Sequence, residues 1–194
     1  MKSTLKISAL VLAFAGLTYT AKAQTAPTST TTTTSNGIRL SVGVETGIPT
    51  GKLNDSHGWN LGGSVQADIP VAEQLFVTVN AGYNNIFGKD VGSVKFPNIQ
   101  LLPVKAGLKF FPVSNFYIQG EAGAGFALNK KDVAFDKSAA FIWAPQIGVQ
   151  FPVGNKSYLD AGIRYEASTK FNSFVNDSKV NFLGLRVAYA FDTK

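Results

Sequence analysis

The clearest pattern in the chain is a strict alternation of apolar residues with polar or small ones. Residues 37–48 read GIRLSVGVETGI, so that Ile38 and Val42 fall on one side of an extended chain while Arg39 and Glu45 fall on the other. Successive side chains of a β-strand point to opposite faces, and the segment therefore predicts a strand with one apolar and one polar face. Whether the apolar face contacts a protein core or a lipid bilayer decides the class of protein.

The same alternation returns along the chain until residue 191 and predicts eight β-strands. They are residues 37–48, 59–69, 75–85, 99–111, 116–128, 139–151, 158–166 and 180–191. Short connections that contain Pro or Asn alternate with longer polar ones, the short ones being residues 70–74, 112–115 and 152–157 and the long ones residues 49–58, 88–98, 129–138 and 167–179. This arrangement predicts an all-β, eight-stranded antiparallel up-and-down barrel, and it is typical of the transmembrane kind in particular.

The charged residues of the predicted strands all lie on the polar face, among many glycines. Five cations balance five anions: Arg39, Lys105, Lys109, Arg164 and Arg186 against Glu45, Asp68, Glu121, Asp160 and Glu166. A crowded lumen requires small residues for space and balanced charges, because a desolvated unpaired ion is costly. We therefore expect these ten side chains to form a charge network inside the barrel, densest around Asp160, Arg164 and Glu166.

The opposite face of the strands carries no charge, which favours lipid as its surroundings. An Arg or Lys near the midplane of a bilayer costs roughly 2–4 kcal/mol, so a lipid-facing surface excludes both. A water-soluble barrel of the lipocalin kind, with its apolar side chains inside, is the alternative fold for the same strand count.

Aromatic residues gather towards both ends of the predicted strands. Trp59, Tyr83, Phe87, Phe126, Trp143, Tyr165 and Phe171 lie near the long-loop ends, whereas Phe110, Phe111, Phe116, Phe151, Tyr189 and Phe191 lie near the short-turn ends. Two aromatic belts are typical of a barrel that crosses both interfaces of a bilayer. The alternative explanation is the general preference of aromatic residues for strands.

The first 36 residues do not follow the strand pattern. Lys2 and Lys6 precede an apolar run at residues 7–19, which ends in the small-x-small sequence at residues 21–23. Residues 1–23 are therefore predicted to be a secretory signal peptide. The apolar run is shorter than the roughly 20 residues that a membrane-spanning helix needs.

The remaining chain divides into a linker and one domain. Residues 24–36 are rich in Thr and Ser and are interpreted as a linker, and residues 37–191 as the barrel domain. Removal of the signal peptide takes away three lysines, which lowers the formal charge from +6 to +3. This mild excess gives no support for a nucleic-acid partner, and none is expected.

Three pieces of the sequence resemble a known family. They are LPVKAGLK at residues 102–109, LDAGIRY at residues 159–165 and GLRVAYAF at residues 184–191. Over residues 37–191 the chain is similar to the small outer-membrane barrels of the OmpA/OmpX type and to the outer membrane protein β-barrel domain family. The resemblance implies an outer-membrane location, periplasmic termini, and contact with outer-membrane lipid and lipopolysaccharide.

The end of the chain looks like the terminal-strand signal that the barrel-assembly machinery reads. The resemblance assigns this signal to Gly184, Val187, Tyr189 and Phe191. The sequence departs from the usual form because residues 192–194 follow the last aromatic residue.

Few residues suggest chemistry. The chain has no cysteine and no phosphate-binding or metal-ligand motif, and neither a cofactor nor a metal is expected. His57, the single histidine, lies in NDSHG at residues 54–58. Some eight-stranded outer-membrane barrels are lipid A-modifying enzymes with a His, a Ser and an acid near the rim. Adjacent loop residues do not easily converge into a triad, however, and Asn, Asp, Ser and Gly are common turn formers, so no enzyme is predicted.

The predicted function is structural or interactive: membrane integrity, adhesion, or binding of an extracellular ligand through the loops. An eight-stranded barrel has an interior just wide enough for side chains, which favours a filled lumen over a conducting one. Lys130 and Lys131 form a loop pair that is either solvated or in contact with lipopolysaccharide phosphate. A narrow porin-like channel is the first alternative, and a lipid A-modifying enzyme is the second.

Overall fold

The computed structural model describes residues 37–133, 135–173 and 178–193 of the 194-residue chain. The predicted signal peptide and linker at residues 1–36 lie outside the described residues. The long strands are β1 (Arg39–Pro49), β2 (His57–Ala72), β3 (Leu75–Gly88), β6 (Ile99–Val113), β7 (Phe116–Ala127), β8 (Ala139–Gly154), β9 (Ser157–Ser168) and β10 (Phe182–Asp192). Two short strands, β4 (Asp90–Val91) and β5 (Val94–Lys95), form a hairpin after β3, and the four-residue helix α1 (Leu53–Ser56) precedes β2.

The eight long strands close into a barrel in the order β1-β10-β9-β8-β7-β6-β3-β2. Every neighbouring pair is antiparallel, and the first strand pairs with the last. The predicted fold class is confirmed, and all eight predicted strands are present. The sequence pattern missed β4, β5 and α1, because elements of two to four residues are too short to show a periodicity.

Two prolines lie inside long strands without changing the register. On either side of Pro145, Trp143 pairs with Ala167 and Gln146 with Arg164. The two pairs between them are absent, because a proline has no N–H group to donate to the neighbouring strand. The pairing of β3 with β6 has the same two-residue gap around Pro103. The ladder tolerates each proline because the pairing on the other side of the strand continues.

The two rims of the barrel differ in the length of their connections. The short-turn end has two-residue connections at residues 73–74, 114–115 and 155–156, and the pairing shifts by one residue beside each of them. Gln74 and Lys156 have left-handed backbone angles there, with φ of 64° and 66°. The long-loop end has connections at residues 50–56, 89–98, 128–138 and 169–181.

The apolar face of each strand points away from the barrel interior. In β1 every second side chain from Leu40 to Ile48 is exposed, and Val42 and Val44 are 61% and 60% exposed. The intervening residues of β1, including Arg39 and Glu45, are buried or half-buried. This inside-out distribution is the one that a barrel in a hydrocarbon environment requires.

Most of the predicted belt aromatics point outward. Trp59 stacks on Phe87 with 4.2 Å between ring centroids, and Trp143 meets Tyr165 edge-on at 5.8 Å. Phe111 and Phe171 were assigned to the belts wrongly, because both are buried inside the barrel, at 7% and 0% exposure.

Two buried apolar clusters lie at opposite ends of the interior. The one at the short-turn end contains Phe76, Phe111 and Tyr117. The one at the long-loop end is larger and is formed by Leu53, Ile86, Ile99, Leu101, Ala127, Ala140, Phe171, Val180 and Phe182, with Val133 and Phe135 packed against it. Among the described residues no helix is long and apolar enough to cross a membrane.

Candidate functional site: the lumen network and the cavity at the long-loop end

The structure places all ten charged residues predicted for the lumen inside the barrel, where none is more than 9% exposed. They come from β1, β2, β6, β7, β9 and β10, because in each strand the inward positions recur every second residue. Strands β3 and β8 add uncharged polar side chains to the same interior, among them Asn80, Gln146 and Gln150. We call the ten charged residues, together with Asp192, the lumen network.

Lys109 joins three strands at one point of the lumen. Its Nζ atom lies 3.0 Å from Oδ2 of Asp68 on β2 and 3.1 Å from Oδ2 of Asp160 on β9. Around the closed barrel β6, β2 and β9 are two or three places apart from one another, so these ion pairs cross the lumen. The same ammonium group lies 4.1 Å from the centroid of the Tyr117 ring, within the range of a cation–π contact.

A second set of alternating charges lies nearer the long-loop end. Nζ of Lys105 is 2.5 Å from Oε2 of Glu166 and 3.8 Å from Oε2 of Glu121. Nη2 of Arg164 lies 3.4 Å from the same Glu121 oxygen, and its Nη1 atom lies 3.1 Å from Oε1 of Glu45. Cations and anions therefore alternate from β6 to β1, so that each buried charge faces one of opposite sign.

Arg186 connects the two sets. Its Nε and Nη2 atoms donate hydrogen bonds to the hydroxyls of Ser64, at 3.1 Å, and Ser41, at 3.0 Å. Its guanidinium also lies 3.4 Å from Oε1 of Glu45 and 3.7 Å from Oδ1 of Asp160. Glu45 and Arg186 face each other directly across the β1–β10 junction.

Uncharged side chains join the ions by hydrogen bonds. Arg164 donates from Nε to Oε1 of Gln146, at 2.7 Å, and the Gln146 amide donates to the Tyr117 hydroxyl at 2.5 Å. The Tyr117 hydroxyl in turn donates to Oδ1 of Asp160, at 2.8 Å. Gln150 donates to the other oxygen of Asp160, at 2.6 Å. Tyr117, Gln146 and Gln150 are themselves buried, so the network includes uncharged side chains as well as the predicted ions.

Asp192 is a member of the network that the sequence analysis missed. Its carboxylate accepts hydrogen bonds from Nε of Arg39, at 2.8 Å, and from Nη2, at 3.3 Å. The signal was present in the sequence, because Asp192 continues the inward alternation of Arg186, Ala188 and Ala190. With Asp192 included, the lumen holds one more anion than cation by formal charge.

Three charged atoms near the centre of the network have ion-pair contacts but no hydrogen-bond partner among the described residues. They are Oε2 of Glu121, Nη2 of Arg164 and Nη1 of Arg186. Each lies 3.4 to 3.7 Å from its nearest opposite charge. Their charges are thus compensated at a distance, while the surrounding pairs are in hydrogen-bond contact.

A cavity of about 410 Å³ lies at the long-loop end of the barrel. Its lining includes residues from all four long connections or the strand ends next to them, among them Leu53, His57, Phe96, Ile99, Val133 and Val180. Leu53, Ile99 and Val180 also belong to the larger apolar cluster. The cavity therefore has an apolar floor that is continuous with the packed interior.

His57, the first residue of β2, lines this cavity. It comes two residues before Trp59 and therefore lies on the loop side of the aromatic belt. Its Nε2 atom lies 3.1 Å from the carbonyl oxygen of Pro97, which can only accept, so Nε2 carries a proton. Nδ1 lies 2.8 Å from the Ser56 hydroxyl and, in the neutral ring, accepts from it. Burial lowers the pKa of His57 below its ordinary value of 6.5, which favours the neutral ring at pH 7.

The third and fourth long connections are tied together beside the cavity. The backbone N–H of Ser173 donates to both carboxylate oxygens of Asp136, at 3.2 and 3.1 Å. These hydrogen bonds lower the pKa of Asp136 below its ordinary value of 3.8. The N–H of Lys137 donates to the carbonyl of Phe171, and the Phe171 ring stacks on Phe135 at 4.8 Å between centroids.

The arrangement offers no evident metal chemistry. No group of three or more potential ligands that could hold a metal ion occurs within residues 37–133, 135–173 and 178–193. The carboxylates of the lumen face lysine and arginine side chains instead.

The sequence matches the outer membrane protein beta-barrel domain family over residues 9–191, which is most of the chain. The chain belongs to this family. Membership implies an outer-membrane location and agrees with the closed eight-stranded barrel. No curated protein matches the sequence.

Solved structures of small barrels share the fold of this family member. Neisserial surface protein A superposes with a TM-score of 0.59 at 16% identity, covering 80% of this chain and 97% of that protein. AlkL, solved in lipid bilayers, superposes with a TM-score of 0.55 at 16% identity, covering 89% of this chain and 97% of AlkL. OprG from Pseudomonas aeruginosa superposes with a TM-score of 0.51 at 13% identity, covering 80% of this chain and 95% of OprG. At these identities the similarity shows a common fold and nothing further.

The four residues assigned to the assembly signal lie on β10, the last strand of this outer-membrane barrel. Val187, Tyr189 and Phe191 point outward and are 52%, 53% and 38% exposed. Gly184 points inward and pairs with Gly47 of β1. A Cβ atom on Gly47 would collide with the backbone of Leu183 and Gly184, whereas one on Gly184 would lie 3.1 Å from the Thr46 carbonyl oxygen.

Proposed function

We propose that this outer-membrane barrel is a non-conducting and non-catalytic scaffold, whose four long connections form a binding surface outside the cell. In this proposal both ends of the barrel domain face the periplasm, the terminal strand is read by the barrel-assembly machinery, and the wall contacts outer-membrane lipid. The lumen network keeps the barrel closed and rigid, and the function is carried out at the long-loop end.

The observation that carries the proposal is the bridging of the lumen by Lys109. Its contacts with Asp68 and Asp160 connect three well-separated strands, and Lys105 connects β6 to Glu166 on β9. A conducting path for ions needs a continuous water-filled space, whereas these side chains meet at 2.5 to 3.1 Å across the lumen. Removing one partner of such a buried pair costs roughly 3–5 kcal/mol, because the other charge is left uncompensated. We therefore do not expect thermal motion to separate these pairs and open a path through the lumen.

The charge of the long connections supports their assignment to the outer surface. Residues 50–56, 89–98, 128–138 and 169–181 contain eight lysines and five aspartates, an excess of three positive charges. The two-residue turns contain one glutamate and one lysine and are neutral. The whole excess of the mature chain thus lies at the long-loop end, where it favours contact with the phosphate groups of lipopolysaccharide.

Planar bilayers test whether the lumen conducts. We expect the full-length protein to give no current steps at 1 M KCl, with a reconstituted porin as the positive control for detection. Heat-modifiable gel mobility of the recovered protein verifies that the barrel is folded and inserted. The Lys109→Ser/Asp160→Ser variant removes one cation and one anion from the bridge and is expected to give steps. Regular ohmic steps from the unmodified protein would contradict the proposal.

One observation favours the alternative function, a lipid A-modifying enzyme: Ser56 and His57 are hydrogen-bonded to each other. Against it, the group that orients the ring through Nε2 is the neutral carbonyl of Pro97, and no carboxylate oxygen is among the described hydrogen-bond partners of the ring. A serine nucleophile is activated efficiently when a carboxylate stabilises the imidazolium that forms as the base takes the proton, and a backbone carbonyl does not supply that charge. We expect the mass spectrum of lipid A to be the same in cells producing the unmodified protein, Ser56→Ala or His57→Ala. A mass change that both variants abolish would establish the enzyme instead.

A further inference from the structure

We infer that the cavity at the long-loop end is a binding site for a neutral, compact apolar molecule of two or three rings. The inference rests on the proposed function, because it names the ligand class for the binding surface that the long connections form. The floor of the site belongs to the buried apolar cluster, and the lumen network fills the barrel interior, so the molecule is retained at the mouth and does not pass through the barrel.

The shape of the cavity is fixed by contacts among the connections that line it. The N–H of Lys89 donates to the carbonyl of Ser56 at 2.8 Å, and His57 holds Pro97, so the first and second connections are joined. The third and fourth are joined by the bond from the Lys137 N–H to the Phe171 carbonyl, at 3.0 Å. A preformed cavity avoids the entropic cost of ordering loops when a ligand binds.

The lining favours an apolar ligand. Leu53, Ile99 and Val180 are buried in the floor, and Phe96 and Val133 are half-buried in the walls. Each apolar group that a ligand places against these side chains is removed from water, which is the main favourable contribution to binding in such a site.

The charges at the cavity favour a neutral ligand over an ion. Among the described residues that line it, one exposed cation, Lys179, is matched by one exposed anion, Asp132. The polar pair nearest the floor, Ser56 and His57, is hydrogen-bonded internally and to Pro97. A charged ligand would lose its hydration without gaining a dedicated partner.

The volume sets the size of the ligand. An apolar cavity of about 150 Å³ holds a benzene molecule. The cavity here, at about 410 Å³, accommodates molecules up to two to three times larger, and naphthalene, with two fused rings, lies within this limit and is a suitable probe.

The test uses the full-length protein in lipid nanodiscs and 1-fluoronaphthalene, followed by ¹⁹F NMR. Empty nanodiscs measure partition of the probe into lipid. We expect saturable binding of one probe per barrel above this background. Val133→Trp fills the cavity and is expected to weaken binding at least tenfold, whereas Val91→Trp, at an exposed position of β4 that does not line the cavity, should change it less than twofold. Heat-modifiable mobility confirms that both variants are folded.

Charged analogues test the second part of the inference. Naphthalene-2-sulfonate and 1-naphthylmethylammonium are expected to bind at least tenfold more weakly than the neutral probe, measured by competition. Equal binding to Val133→Trp and the unmodified protein, binding no greater than in empty nanodiscs, or preference for either ion would overturn the inference. None of these results changes the prediction of a silent lumen. Conversely, current steps from the unmodified protein would contradict the proposed function whatever the probe does.

Discussion

Arg39 and Asp192 form a two-point ion pair that joins the first strand of the barrel to the last. The distances are 2.8 Å from Nε to Oδ1 and 3.3 Å from Nη2 to Oδ2. The Arg39 guanidinium also lies over the ring of Tyr158, 3.9 Å from its centroid, and donates to Gln150. The last strand residue of β10 is thus held by a charged group of β1 as well as by the backbone ladder.

Replacing Asp192 by Asn should destabilise the barrel at this junction. The change leaves the buried Arg39 charge without an anionic partner, and the expected loss is roughly 3 kcal/mol of the free energy of unfolding. Urea unfolding in lipid vesicles, followed by tryptophan fluorescence, measures it. Glu73→Gln, which removes an exposed carboxylate from a turn at the same rim, is the matched control. A loss no greater than that of the control would show that the pair contributes nothing.

Lys105 provides a test of the network in the middle of the lumen. Lys105→Met should destabilise the barrel by roughly 3–5 kcal/mol, because it leaves the carboxylates of Glu166 and Glu121 facing each other without their shared cation. The double variant Lys105→Met/Glu166→Gln also removes the negative charge of Glu166, the nearer partner of Lys105, and should recover part of the lost free energy of unfolding. The same urea unfolding measures both. If the double variant is as unstable as the sum of the single ones, the two residues do not interact in the folded state.

The alternation of residues was sufficient to predict the strands and the direction of their faces, because a barrel repeats one period throughout. The members of the ion pairs could not be predicted, since partners such as Lys109 and Asp160 are 51 residues apart and meet only through barrel closure. Phe111 was placed wrongly because its nearness to the rim was given more weight than the alternation, in which it follows Lys105 and Lys109 on the inward face of β6. Phe171 lies in the fourth connection, outside any strand, where no alternation indicates the direction of its side chain.

The cavity at the long-loop end was not predictable from the sequence. Its lining comes from four connections with no periodicity, and each was interpreted as polar. Val133 and Phe135 lie in the third connection and Val180 in the fourth, and only the closure of the barrel places them beside Leu53. The single histidine was noticed, but its partner Pro97 lies 40 residues away.

Two glycines on facing strands give a matched pair for testing how closely the barrel wall is packed. A Cβ atom at Gly107 would collide with the backbone of Gly120 and Glu121, whereas at Gly120 it would meet no atom within 4 Å. Gly107→Ala should therefore lower the urea midpoint by an amount that corresponds to about 1–3 kcal/mol of overpacking. Gly120→Ala should leave the midpoint within error. Equal midpoints for the two variants would contradict the close approach of β6 and β7.

The contact between Asp136 and Ser173 predicts a pH dependence of the loops at the cavity. The pKa of Asp136 is lowered because its charged form accepts the Ser173 N–H, so the contact is complete above the ordinary value of 3.8 and is lost as the pH falls through the lowered pKa. In ¹⁵N-labelled protein, the Ser173 amide proton shift should be constant from pH 7 to about pH 5 and change with a midpoint below 3.8. Asp136→Asn should abolish this titration, and Asp90→Asn, at an exposed position of the β4–β5 hairpin, should preserve it. A midpoint at or above 3.8 would show that the carboxylate gains nothing from the contact.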